Sequence, residues 1–198
     1  MASFVKVVSI NKKKLGVTII IIGLMIILFG LEKNFDVKLK FTALMQNDIK
    51  SLTQYNGLKG RLKYELPSSW SCRNQEVFGD EIVYHSDFKS ADGRINGFVQ
   101  VWNLKGNLKE FLRNSEIISK KQNLYKDYNI RQIDINGTNG YLLEYTITKE
   151  IGDSYRGIEY FMKQGGQFLR FSFFVKDTDF KENMPTIFET IVKTMKYR

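Results

Sequence analysis

The residues most suited to acid–base chemistry are a histidine and two acids that lie close together in the chain. His85 is the single histidine among 198 residues, and it stands between Glu81 and Asp87. If this stretch is a strand, side-chain alternation places His85 and Asp87 on one face, where the carboxylate could orient the imidazole as a general base. The pattern permits a hydrolytic enzyme using His85, Asp87 and Glu81. An ordinary surface or half-buried histidine is the simpler interpretation.

Other signals for catalysis or ligand binding are weak. Asp80 and Asp92 flank the histidine stretch, but their spacing does not match a calcium-binding loop. The glycines of NGTNG and QGGQ fall at predicted turns, and no nucleotide-binding glycine motif is present. The lone Cys72 excludes an intramolecular disulfide and a cysteine-rich zinc site, and we interpret it as a small, partly buried apolar residue. We therefore expect no catalytic residue, no metal site and no cofactor.

Two groups of residues are candidates for contacting a partner. Trp70 and Trp102 are large amphipathic side chains, although core positions explain them as well. Lys120, Lys121 and Tyr125 form the densest basic and aromatic stretch, unless they belong to a solvated loop. A protein or an anionic component, such as phospholipid headgroups or an acidic wall polymer, would suit this stretch. We expect no nucleic acid, because the lysines that precede the apolar segment 15–31 predict that this domain lies outside the cytoplasm.

One segment of the chain is wholly apolar apart from a threonine. Residues 15–31 read LGVTIIIIGLMIILFGL, without charge, amide or proline. As a helix rising about 1.5 Å per residue, the segment is ~25 Å long and nearly spans the ~30 Å hydrocarbon layer of a membrane. Residues 1–31 contain four lysines and no acid, so the rest of the chain carries +5 of the total charge of +9. The positive-inside rule then places the N-terminus in the cytoplasm.

This topology divides the chain into four parts. Residues 1–14 are a basic cytoplasmic N-terminus, 15–31 a transmembrane signal anchor, 32–59 a stalk or linker helix, and 60–198 an extracytoplasmic domain. A cleaved signal peptide is the alternative, and it would give a secreted protein. The anchor is favoured because the exit sequence LFGLEK lacks a small-x-small cleavage site.

Three glycines in the apolar segment share one helix stripe. Gly16, Gly23 and Gly30 are spaced by seven residues, which would let a second helix approach closely and form a homo-oligomer. Chance spacing is the simpler reading, since glycine is common in membrane helices.

The remainder of the chain alternates strand and helix signals. Strand-like runs are RLKYEL from Arg61, EIVYHS from Glu81, RINGFVQVW from Arg94, YNIRQIDI from Tyr128, YLLEYTITKEI from Tyr141, YRGIEYFMK from Tyr155 and FLRFSFFVK from Phe168. Asn107 precedes a helix with Leu108, Phe111, Leu112 and Ile118 at helical spacing, and a second helix contains Pro185 in its first turn. Asn136-Gly137 and Gly165-Gly166 predict hairpins. This order predicts an α+β fold, with an antiparallel sheet flanked by helices in an α/β/α sandwich.

Several of these runs resemble the PsbP-like superfamily over about residues 60–198. They are YELPSSW from Tyr64, EIVYHSD, GFVQVW, the hairpin ending in GYLLEYT, RFSFFV, and the closing FETIVKTMK. The resemblance implies an antiparallel sheet between helices, and a binding or scaffold domain without a shared catalytic apparatus. The superfamily includes bacterial membrane-tethered domains, and none of its binding residues maps onto this sequence.

The favoured function is a non-enzymatic, single-pass membrane protein that displays a binding domain of unknown ligand in a bacterial cell envelope. The alternatives are a tethered envelope enzyme using His85, Asp87 and Glu81, and a secreted protein.

Overall fold

The chain forms two compact units, Met1–Thr42 and Ala43–Arg198. The structure, a computed structural model, describes residues 21–22, 38–40, 42–45, 49–76, 80–103, 106–121, 125–148, 152 and 154–198. In the first unit the described residues are helical. No helix built from the described residues is both long and apolar enough to cross a bilayer.

The predicted transmembrane anchor, residues 15–31, lies outside the described residues except for Ile21 and Ile22. The predicted cytoplasmic N-terminus, residues 1–14, and the three glycines of the stripe also lie outside them. The anchor, its orientation and helix pairing through the glycines therefore stay predictions.

The described part of the second unit contains two antiparallel sheets with two flanking α-helices. It also contains helical residues 43–45 and two short 3-10 turns, Leu58–Gly60 and Asp177–Asp179. In chain order its elements are β1 (Leu52–Gly57), β2 (Leu62–Pro67), β3 (Ser71–Asn74), β4 (Ile82–Lys89), β5 (Ile95–Asn103), α1 (Leu108–Lys121), β6 (Tyr125–Ile135), β7 (Thr138–Thr148), β8 (Ser154–Gln164), β9 (Gln167–Lys176), α2 (Met184–Lys193) and β10 (Lys196–Tyr197). The main sheet has the strand order β3-β4-β5-β9-β8-β7-β6, and the small sheet has the order β1-β2-β10. The predicted α+β class is confirmed, with a second sheet that the sequence did not predict.

The main sheet is covered on both faces, which explains aromatic residues at successive strand positions. Tyr160 and Phe161 are neighbours on β8, yet each is buried in a different hydrophobic cluster. The cluster on one face joins the small sheet and α2, where the rings of Phe173 and Phe188 stack with centroids 4.2 Å apart. The cluster on the other face joins α1 through Leu112.

Local signals placed the turns and helix ends correctly. Asn136 and Gly137 both have positive φ, as a tight hairpin turn between β6 and β7 requires. The Asn107 side chain accepts a 2.8 Å hydrogen bond from the Lys109 N–H and so caps α1. Pro185 lies in the first turn of α2, where its missing N–H costs nothing.

The predicted helical stalk of residues 32–59 is wrong at its C-terminal end, because Leu52–Gly57 is strand β1. β1 pairs with β2 along the whole length of β2, and the ring of Tyr55 stacks on Tyr64. This pairing satisfies backbone groups at a β2 edge that would otherwise be open. The folded unit also begins before residue 60, since Ala43 is buried in its core.

Candidate functional site

The candidate site lies on the main-sheet face that packs against α1, which we call the α1-side face. Antiparallel register brings polar residues of four adjacent strands together on it. The register pairs include His85 with Gln100 and Gln100 with Arg170. Glu159 of β8 pairs in turn with Ser172 of β9. Residues that are distant in sequence therefore share one surface.

At the centre of this face Glu159 is buried, with 1% of its surface exposed. Its Oε2 accepts hydrogen bonds from Arg170 Nε and, at 2.8 Å, from Ser172 Oγ. Its Oε1 accepts a 2.5 Å hydrogen bond from the Tyr145 hydroxyl. Both carboxylate oxygens are thus satisfied, as a buried charge requires.

Arg170 completes the ion pair and remains charged. Burial lowers the pKa of its guanidinium, but the adjacent Glu159 carboxylate outweighs this effect, so the pKa rises above its ordinary value. The guanidinium also lies 4.8 Å from the ring centroid of Phe98 and 5.5 Å from that of Phe161. Burial, reinforced by the charge of Glu159, raises the pKa of Tyr145, which therefore stays protonated as a donor. Glu159, Arg170, Ser172 and Tyr145 therefore form a hydrogen-bonded polar platform on this face.

A cavity of about 100 Å³ lies between this platform and α1. Its lining includes Trp102, Phe111, Leu112, Ser115, Ser119, Tyr125, Tyr128, Leu143, Tyr145, Glu159, Phe161, Phe168 and Arg170. The ring of Trp102 stacks on that of Phe168, with their centroids 5.7 Å apart. The ring of Phe111 also packs on Phe168, with a centroid distance of 5.3 Å. Pockets for cofactors and other small ligands usually measure about 300–1,000 Å³. This cavity has room for one side chain of a partner.

Helix α1 packs on the sheet through Leu108, Phe111 and Leu112, as predicted, but Ile118 does not belong to this face. The sequence predicted that Ile118 packs against the sheet, but 57% of its surface is exposed. The neighbouring Ile117 is 48% exposed. Ser115 and Ser119 line the cavity instead. The helical period of about 3.6 residues explains this difference. Ser119 lies eleven positions after Leu108, about three full turns, so it points toward the sheet as Leu108 does, whereas Ile118 points away from it.

The predicted acid–base residues are only partly brought together. His85 Nε2 and Asp87 Oδ1 are 2.8 Å apart, as side-chain alternation predicted. No hydrogen bond or ion pair links the Glu81 carboxylate to either residue in the part of the chain that the structure describes. Glu81 contributes its main-chain oxygen, which accepts a hydrogen bond from the Asn103 N–H.

Gln100 fixes the tautomer of His85. The Gln100 Oε1 accepts a 2.9 Å hydrogen bond from Trp102 Nε1, so its Nε2 donates to His85 Nδ1 at 3.1 Å. His85 Nδ1 is then an acceptor, and the proton on Nε2 is donated to Asp87. Both ring nitrogens are occupied within the protein, an arrangement that suits a structural histidine better than a general base.

No protein-family model and no curated protein sequence matches the chain. The solution structure of cyanobacterial PsbP, CyanoP, from Synechocystis is similar to it, with a TM-score of 0.57 and 14% identity over 76% of this chain and 94% of that chain. The chain has a PsbP-like fold. The resemblance inferred from the sequence is confirmed at the level of the fold.

Two further solved structures are similar at lower TM-scores. A protein from Bacteroides thetaiotaomicron gives a TM-score of 0.47 and 16% identity over 73% of this chain and 48% of that chain. A protein of unknown function from Pseudomonas aeruginosa, described as a putative regulator, gives a TM-score of 0.44 and 15% identity over 74% of this chain and 97% of that chain.

Within this PsbP-like fold the five predicted partner-binding residues do not form one surface. Trp102 and Tyr125 line the α1-side cavity. Trp70 is buried in the other cluster, where its ring stacks on Phe88 at 5.6 Å. Lys121 is exposed at the C-terminal end of α1, where its positive charge interacts favourably with the helix dipole. The side chain of Lys120 lies outside the described part of the structure.

Cys72 is half-buried against the core, as predicted, with its sulfur 3.2 Å from Ser86 Oγ. No group of three or more His, Cys, Asp or Glu residues suited to a metal ion occurs among the residues the structure describes.

Sequence reasoning missed the Glu159–Arg170 pair, although a signal was present. Each charge stands in a strand whose neighbours are apolar, GIEYFM for Glu159 and FLRFSFF for Arg170. Charges are almost never fully buried unless they are paired, so two opposite charges in buried strands predict an ion pair. Adjacency of the two strands, from the Gly165-Gly166 turn, would have completed the argument.

We predict a loss of stability at alkaline pH from the tyrosines of this face. Burial, reinforced by the charge of Glu159, raises the pKa of Tyr128 to about 12. Tyrosines of the unfolded chain ionise near pH ~10, so above this pH the unfolded state loses protons that the folded state retains. The stabilisation is complete below pH ~10 and is lost as the pH rises through about 12.

Urea unfolding at pH 9 and pH 11 measures this effect. Substitution Tyr128→Phe is expected to reduce the loss of unfolding free energy between the two pH values by roughly 1 kcal/mol, allowing for solvent screening. An identical loss in the wild type and the Phe variant would contradict the assignment of Tyr128.

Proposed function

We propose that the chain is a non-enzymatic binding domain, held on the outer side of a bacterial membrane by residues 15–31, whose partner is a protein bound at the α1-side face. The observation that carries this proposal is the cavity of about 100 Å³ beneath α1. Its size suits one inserted side chain, and such pockets typically receive the central anchor of a protein interface.

The chemistry of the lining favours binding over catalysis. Trp102, Tyr125 and Tyr128 offer aromatic contact area of the kind that is enriched in protein interfaces. The charges of Glu159 and Arg170 neutralise each other, so they stabilise the platform without activating a nucleophile. The enzyme alternative has less support, because both nitrogens of His85 already have partners.

The outer surface of α1 could widen the contact. Ile117 and Ile118 are exposed large apolar side chains on the helix that covers the cavity. Apolar residues beside a pocket exclude water around an inserted anchor, and the same helix ends in the exposed charge of Lys121.

The membrane location is argued from the sequence. Residues 15–31 are uninterrupted by charge, and the lysines before them favour a cytoplasmic N-terminus. The remainder would then face the envelope as a tethered domain.

One experiment on intact cells tests location and binding together. The full-length chain carries a photo-crosslinking amino acid at Ile118, which is 57% exposed and outside the cavity lining. We expect the protein to stay in the membrane after alkaline extraction, to be degraded by external protease, and to crosslink one protein partner at Ile118. A soluble or protease-protected product would overturn the proposed location.

Two controls separate the binding site from general surface contact. A crosslinker at Thr178, which is exposed in the short 3-10 turn after β9, is expected to give no product. Substitution Ser119→Phe fills the cavity and is expected to abolish crosslinking from Ile118 at unchanged protein level. Unchanged crosslinking in the Ser119→Phe protein would exclude the cavity as the anchor site.

A further inference from the structure

A second surface with a distinct charge lies across the main sheet from α1, on the small sheet. β10 pairs with β2 so that Lys196 stands directly opposite Lys63. The two lysines line a cleft of about 260 Å³, which we call the β10 cleft. Its lining consists of Gln54, Gly60, Arg61, Lys63, Lys196 and Arg198. Four cationic side chains therefore surround one opening.

No described Asp or Glu side chain is close enough to these four cationic groups to form an ion pair. Glu65 lies two residues after Lys63 on β2, on the same side of the strand by alternation, and it too forms no ion pair there. The other basic residue near β10, Lys193, is already paired with Glu189.

The arrangement is unfavourable without an anion. Like charges that stand directly opposite each other on paired strands repel, and here they share the exposed face of a narrow sheet. An anion between Lys63 and Lys196 would convert this repulsion into attraction to a common ligand.

Arg61 is already oriented beside this position. Its Nε donates a 3.1 Å hydrogen bond to the main-chain oxygen of Arg198, and an Nη donates at 3.1 Å to the Tyr197 hydroxyl. Its guanidinium also lies 5.3 Å from the centroid of the Tyr197 ring. A planar guanidinium held in this way loses little freedom on binding an oxyanion, and lysines bind phosphate as mobile point charges.

We infer that the β10 cleft binds a phosphate group. The site goes beyond the proposed function, because its residues are separate from those of the α1-side cavity. The phosphate could belong to a lipid headgroup or to a soluble phosphate compound, and the two sources share the chemistry that the cleft recognises.

Calorimetric titration of the full-length protein in a neutral detergent tests this inference. The probes are pyrophosphate, short-chain dihexanoyl phosphatidylglycerol and the zwitterionic dihexanoyl phosphatidylcholine. The double variant Lys63→Gln/Lys196→Gln is expected to bind an anionic probe about 25-fold more weakly, because each lysine contributes about fivefold. Its melting temperature should be unchanged or higher, because a like-charge pair has been removed.

The matched control is Lys109→Gln/Lys163→Gln, which removes two exposed lysines elsewhere and leaves the same net charge. It should bind like the wild type. Binding of pyrophosphate supports a soluble source, and binding of phosphatidylglycerol without pyrophosphate supports a lipid headgroup.

Three results would overturn the inference: no binding of either anionic probe, equal weakening in the two double variants, or phosphatidylcholine binding as tightly as phosphatidylglycerol. The Ser119→Phe variant separates this site from the α1-side cavity. It should retain phosphate binding even where it loses its protein partner, so failure of either site can be identified.

Discussion

Substitution Glu159→Gln is expected to lower the free energy of unfolding by about 3 kcal/mol, because it leaves the Arg170 guanidinium without its counter-ion. Glu159 is 1% exposed on its side chain and Arg170 is 25% exposed, so water can replace the lost carboxylate only in part. The amide has one acceptor oxygen where the carboxylate has two, so the hydroxyls of Ser172 and Tyr145 cannot both keep their hydrogen bonds as they are. Urea denaturation near pH 7 measures the change.

The matched control is Glu189→Gln, which removes the acid of an exposed ion pair with Lys193 one helical turn away. Pairs of this kind contribute about 0.3–0.5 kcal/mol. Comparable losses in the two variants would contradict a buried, fully satisfied carboxylate at Glu159. A much larger loss at Glu159 would support a rigid platform beneath the cavity.

The same pair can be replaced as a unit. Removing both charges, as in Glu159→Leu/Arg170→Met, should cost less than removing Glu159 alone, since no unpaired charge remains. The pair then acts to position Tyr145 and the cavity wall more than to hold the sheet together.

Features set by neighbouring residues could be predicted from the sequence. The Asn136-Gly137 turn follows from backbone conformations that these residues adopt readily. His85 and Asp87 were placed together because two residues on one strand always share a face. The cap at Asn107 needs only residues of the same turn. In each case the physical cause lies within a few positions of the chain.

Features set by strand register could not be predicted in this way. β10 has two residues and no periodic pattern, and it exists because β2 offers an edge far earlier in the chain. The hydrogen bond from Gln100 to His85 crosses from β5 to β4. The facing lysines of the β10 cleft depend on the same kind of long-range pairing, so sequence reasoning placed the basic surface at the end of α1 instead.

Gly97 gives a sharp test of the packing between the strands that carry the site. A Cβ at this position would lie 2.1 Å from the main-chain oxygen of Ser172 and 2.4 Å from the ring of Phe88. The ring could move, but the main chain of β9 cannot retreat without breaking its register with β5. We expect Gly97→Ala to lower the free energy of unfolding by about 3 kcal/mol, at the upper end of the usual cost of overpacking.

Gly166→Ala is the matched control, because a Cβ there meets no atom within 4 Å and the residue does not have positive φ. It should leave stability unchanged or raise it by about 0.5 kcal/mol, since alanine restricts the unfolded chain. Urea unfolding of both variants gives the comparison. Equal stabilities of the two variants would mean that β5 and β9 lie farther apart than the structure places them. The contacts of Gln100 and Arg170 on the α1-side face depend on this spacing, so they would then be wrong as well.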